Sequence, residues 1–157
     1  LLHRFPGNPW APTVDGVELT GMPAMLVQSG HHHPTAAVLL GTARDEGSTF
    51  VGAAGVSTSM TQHQWEGWSA HAFPNVNHTQ LSELYGKHNS TPQGSCWWWA
   101  AEATIGDRKF HCGARLGAKA ISDRGGTVYM YSFAPAAIFA AGGAFTIGHC
   151  AERRVYF

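Results

Sequence analysis

The sequence is poor in charge. Asp, Glu, Lys and Arg make up 13% of its 157 residues, and ten basic side chains cancel ten acidic ones. With 44% hydrophobic residues, the chain lacks the low hydrophobicity and high net charge that keep a segment disordered. It also lacks the basic field that would draw it to nucleic acid or to an anionic membrane. Cysteine is scarce: Cys96, Cys112 and Cys150 cannot all pair with one another, and no C-x-x-C occurs, which argues against a zinc ribbon or a thioredoxin-type pair. Long apolar runs are scarce too. One stretch, Thr127 to Gly148, is free of charge over a membrane-spanning length. Pro135, the Gly142-Gly143 pair and a high alanine content argue against a transmembrane helix there. The chain opens on Leu1-Leu2-His3-Arg4-Phe5 without a basic segment ahead of an apolar run. A signal peptide is therefore expected to be absent or removed, and such a start suits a piece of something longer.

What is present reads as a single globular, loop-rich unit over 1–157, with 19 glycines and 8 prolines. Asp15-Gly16 between short apolar runs predicts a hairpin turn. Pro23 to Gln28, with Pro at the first turn and Gly30 after the end, predicts a short helix. Ala36 to Leu40 is an apolar run of strand length, as in a buried parallel strand, and it breaks at Gly41 into the polar loop Thr42–Ser48. Residues 51–75 have weak periodicity and read as loops and short helices. Helices are predicted over Leu81–Tyr85, closed by Gly86, over Trp97–Ala103, ending at Gly106, and after a capping Asp107, with Phe110, Ala114, Ala118 and Ile121 on one face. Thr127–Phe133, β-branched and aromatic, reads as a second strand. Strand, helices, strand and loop indicate the α/β class.

In open α/β sheets function collects in the loops that leave the carboxyl ends of strands. Two such loops carry suitable chemistry: Arg44-Asp45-Glu46 after the first strand, and the stretch after Phe133 that leads to His149. A carboxylate that orients a histidine, which in turn deprotonates a nucleophile, needs this pair of residue types. The plainer alternative is an exposed Arg44–Glu46 ion pair of little consequence. His31-His32-His33 has the composition of a metal tract, but it sits in a turn between Gly30 and Pro34, and no metal or other cofactor is expected. Trp97-Trp98-Trp99 splays around a helix and is expected to pack. Asn77-His78-Thr79 and Asn89-Ser90-Thr91 are glycosylation sequons, consistent with a secreted or secretory-lumen protein.

Five blocks, in order, resemble the type-B carboxylesterase and cholinesterase family. They are Pro12–Gly16, Val38–Phe50 (VLLGTARDEGSTF), Gly106–Cys112 (GDRKFHC), Gly126–Phe133 (GTVYMYSF) and His149–Phe157. The resemblance implies the C-terminal portion of an α/β-hydrolase fold, a mainly parallel sheet with flanking helices. It also implies cleavage of carboxylic esters by a Ser–Glu–His triad in which Glu46 matches the acid and His149 the histidine. The nucleophile elbow G-x-S-x-G belongs upstream and does not occur here; Gly55-Val56-Ser57-Thr58-Ser59 comes nearest. An upstream segment or a separate chain is therefore expected to complete the fold and to bring the serine, with a small ester as substrate. Around His149 the chain departs from the family: Cys150 stands in place of a glycine, Arg153-Arg154 in place of an apolar residue and proline, and Thr146–Gly148 are interposed. Cys112 matches a family cysteine whose disulfide partner lies further toward the C-terminus; a Cys96–Cys112 bond is the alternative within the chain. An esterase-like binding or scaffold protein, or a structural subunit of a larger assembly, is the competing function.

Overall fold

The computed structural model describes residues 12–33 and 35–134. The chain runs α1 (Pro23–Gln28), β1 (Val38–Ala43), a 3-10 turn (Glu46–Thr49), α2 (Gln62–Ala72), α3 (His78–Tyr85), α4 (Cys96–Gly106), a π-helical turn (Asp107–His111), α5 (Cys112–Asp123) and β2 (Val128–Phe133). The two strands pair in parallel, Val38 against Val128 through Ala43 against Phe133. All the helices from α2 to α5 lie in the crossover between them. That is the βαβ logic of an α/β sheet, because parallel strands cannot be joined by a tight turn.

Local chemistry explains most boundaries. Pro23 opens α1, where a missing N–H costs nothing. α2 starts on a capping box: Thr61 Oγ1 accepts from the Gln64 amide at 3.3 Å, and Gln64 Oε1 accepts from the Thr61 amide at 2.9 Å. Asn77 caps α3 through Gln80 N at 3.1 Å. Ser95 caps α4 through Trp98 N at 3.2 Å and donates its hydroxyl to Met60 O at 2.6 Å, tying that helix to the loop before α2.

The core lies in the helical layer. Trp65 is fully buried, and Val51, Val56, Met60, Trp98, Ala100, Ala101 and Ile105 are buried around it. Trp97 and Trp99 pack against this cluster, with the Trp65 and Trp97 rings 5.3 Å apart and Trp98 meeting Trp99 edge-on at 4.8 Å. The tryptophan run packs, as its helical spacing implied. The sheet is the reverse of what was expected. Of the strand residues only Ala43 is buried, while Leu39, Tyr129, Met130 and Tyr131 are exposed. Two adjacent strands of a larger sheet show this when their neighbours are not among the described residues.

Several sequence expectations need correction. The Asp15-Gly16 hairpin is not formed: Asp15 Oδ1 takes the amides of Val17, Glu18 and Leu19 at 2.9–3.0 Å, and Gly16 at φ +77° folds the chain on itself without flanking strands. β1 begins at Val38 rather than Ala36 and passes through Gly41 to Ala43. Residues 51–75 hold an eleven-residue helix, α2. Asp107 is not a cap; its backbone is helical, and α4 continues through the π turn into α5. That continuity also rules out a Cys96–Cys112 bond. The two cysteines start helices sixteen positions apart, and about 1.5 Å of rise per residue separates them by more than about 20 Å. A disulfide needs Cα atoms within about 7 Å, and among the described residues neither cysteine is bridged.

Gly41 shows why β1 tolerates a glycine in mid-strand. A methyl group at this position would run into the ring of Tyr131 on β2. Because that ring is half exposed, Gly41→Ala is expected to swing it aside. The cost in unfolding free energy should be about 1 kcal/mol or less, with the Tyr131 ring resonances shifted in the NMR spectrum of the intact protein. A loss of several kcal/mol would mean that the ring cannot move.

Candidate active site

β1 ends at Ala43, and the chain turns at its carboxyl end through Arg44-Asp45 into the Glu46–Thr49 turn. Glu46 is buried there, and its Oε1 accepts the Ala43 amide at 2.7 Å. The carboxylate thus closes a three-residue loop on itself and is oriented by the last strand residue. The exposed Arg44–Glu46 pair is not what forms. Arg44 instead grips Asp45 with both limbs of its guanidinium, Nε to Oδ1 and Nη2 to Oδ2, each at 2.9 Å.

Two further groups hold this loop, and neither stood out in the sequence. Glu102, buried on α4, accepts the Gly47 amide at 2.9 Å. Burial first, and then the nearby charge of Asp45, push its carboxyl up to about 7, against the pull of the Gly47 hydrogen bond. His111, at the end of the π turn, faces Asp107 Oδ1 with Nδ1 at 2.9 Å and the Ala43 carbonyl with Nε2 at 2.9 Å. Burial disfavours the charged ring, but the bonds to Ala43 O and to Asp107 outweigh it, and its pKa is raised. Asp107 also accepts the Tyr85 hydroxyl at 2.7 Å, which together with burial raises the tyrosine pKa, burial being the larger cause. The sequence did carry a signal for Glu102: a single carboxylate in the otherwise apolar turn Ala100-Ala101-Glu102-Ala103. An open cleft of about 440 Å³ lies over these groups, lined by Arg44, Asp45, Trp99, Glu102, Asp107 and His111, among others.

Close approach of backbones makes the arrangement possible. A Cβ on Gly47 would strike the Glu102 carbonyl oxygen and stand 3.0 Å from Gly106 N; one on Gly106 would lie 3.2 Å from Gly47 N and 3.7 Å from Glu46 Cβ. The acid loop and α4 meet glycine on glycine.

His149 and Cys150 lie outside the described residues. Ser57 and Ser59, in the nearest approach to an elbow, bond each other at 3.0 Å on an exposed turn that follows no strand. In the histidine tract His31 pairs with Ser29 and His33 with Thr35; among the described residues no three potential ligands come together as a metal site. None of the described helices is long and apolar enough to cross a membrane; the first part of the charge-free stretch is β2 and the rest lies outside the described residues.

A parallel strand pair with a helical crossover, carrying an acid loop on the carboxyl end of a strand, is part of an α/β-hydrolase fold. The chain belongs to the carboxylesterase family, whose model matches residues 2–154. The crystal structure of Aspergillus niger EstA is similar, with a TM-score of 0.57 and 20% identity over 78% of this chain and 23% of that chain. At that identity the likeness is one of fold, and this chain spans less than a quarter of EstA. No curated protein matches the sequence.

Proposed function

We propose that residues 1–157 are the C-terminal part of a secreted serine carboxylic-ester hydrolase and supply the acid and the histidine of its triad. The observation that carries this reading is the placement of Glu46: a buried carboxylate just past the carboxyl end of a parallel strand, oriented by the Ala43 amide in the position where open α/β sheets place their chemistry. His149 is the base. His111 cannot take that role, because both of its ring nitrogens are engaged by acceptors. In the reaction a serine from an upstream segment or partner chain attacks the carbonyl of a small ester. His149 takes the serine proton and returns it to the leaving alcohol, and Glu46 stabilises the imidazolium formed in between. Water then repeats the sequence on the acyl-enzyme. Asn77 and Asn89, both exposed, are the proposed glycosylation sites and agree with a secretory route.

A fluorophosphonate probe tests the reading, since it phosphonylates an activated catalytic serine. The intact protein should be labelled at one serine outside residues 1–157, and ester hydrolysis should fall in proportion to labelling. An intact protein that takes up no probe and hydrolyses no ester would instead be a scaffold or structural subunit on an esterase fold.

A further inference from the structure

The ring of His111 faces an acceptor on each side, the carboxylate of Asp107 and the main-chain oxygen of Ala43. A neutral imidazole has one N–H and can satisfy only one of them; both bonds require the doubly protonated ring. The Ala43 carbonyl belongs to the same residue whose amide holds Glu46. We propose that His111 is a positioning residue for the acid loop: as an imidazolium it straps the π turn to the end of β1, and loss of its proton releases the strap and loosens Glu46. The proposal rests on Glu46 as the triad acid.

The charges around the ring favour this state. Asp107 faces it from its own turn, Glu46 from the 3-10 turn and Glu102 from α4. Tyr85 on α3 reaches it only through Asp107, and Arg44, Asp45 and His88 stand on the rim of the same cleft. The two neighbouring cations turn away: Arg108 lies over Phe73 and Lys109 over Phe50. Against burial, the bond to the Ala43 carbonyl, then the bond and charge of Asp107 and the charge of Glu46, raise its pKa above the ordinary histidine value. The strap is therefore complete at low pH and is lost as pH rises through this elevated value. In an esterase whose base must be neutral, His149 sets the acid limb of the pH profile, and His111 adds a limb on the alkaline side. Chemistry is confined to the window between them.

The test uses the intact protein and two readouts. In histidine-labelled protein, the NMR signals of His111 should show both ring nitrogens protonated at pH 6 and a midpoint above that of an exposed histidine, which falls when Asp107 becomes Asn. In steady-state hydrolysis, His111→Ala should lower kcat about 10- to 100-fold with little change in KM, the scale of a displaced catalytic group, and should erase the alkaline limb. His111→Gln, which retains a donor for Ala43 O without a titrating proton, should recover most of that kcat and still lack the limb, whereas Glu102→Gln should keep it. A singly protonated His111 at pH 6, or an alkaline limb that survives in His111→Gln, would overturn the proposal. An intact protein without esterase activity would remove the triad reading, yet the NMR titration would still decide whether the strap exists.

Discussion

His149→Ala, made in the intact protein, is expected to lower kcat/KM for ester hydrolysis by about 10⁴-fold while the fold is retained, a loss of about 5 kcal/mol in transition-state stabilisation. In the proposed mechanism His149 accepts the serine proton, while His111, which holds the acid loop, has both nitrogens committed. Glu46→Gln should also be severe. The amide oxygen can still accept from Ala43 N, so the loop should stay in place. What is removed is the charge that stabilises an imidazolium and selects its tautomer. The two substitutions together should cost little more than His149→Ala alone, because residues of a triad act as a unit. Unchanged hydrolysis in His149→Ala would remove that histidine from the mechanism.

Gly47→Ala is expected to be the most damaging single methyl group in the described structure. The added carbon would run into the Glu102 carbonyl and stand 3.0 Å from Gly106 N. Both obstacles are helix backbone, which cannot rotate aside as the Tyr131 ring can at Gly41. The loop must lift off α4, breaking the bond from Gly47 N to Glu102 and drawing the Ser48 amide away from the same buried carboxyl. A destabilisation of about 3 kcal/mol follows from overpacking together with the orphaned acceptor. Glu46 would move with the loop, and a displacement of about 1 Å costs a catalytic group on the order of 10²-fold. Thermal unfolding and kcat/KM measured on the same variant should fall together. Wild-type stability in Gly47→Ala would show that the loop does not abut α4 so closely.

Where side chains and local caps decide structure, the sequence was readable. Pro23 and Gly30 bracket α1, the apolar and aromatic runs locate both strands to within two or three residues, and Trp97–Gly106 reads as a helix. α2 escaped because its polar, glycine-containing composition (QHQWEGWSAHA) has almost no apolar period, although the Thr61-x-x-Gln64 capping box that starts it was there to be read. Asp107 looked like a helix cap because it follows Gly106. In the structure its carboxylate is spent on His111, one helical turn further along, and on Tyr85, a partner that only tertiary folding brings near. The same limit applies to the site. Glu46 was legible from its place after a strand and from the family resemblance. Glu102 and His111 hold its loop through main-chain atoms 55 and 68 positions away, and no local pattern encodes such contacts.

The most direct measurement is a crystal structure of the intact protein, read for the distance between the Glu46 carboxylate and the ring of His149. The triad reading requires Nδ1 of His149 within about 2.6–3.2 Å of a Glu46 oxygen, with the ring's other nitrogen turned toward a serine from outside residues 1–157. A His149 ring on the opposite face of the sheet from Glu46 would contradict it.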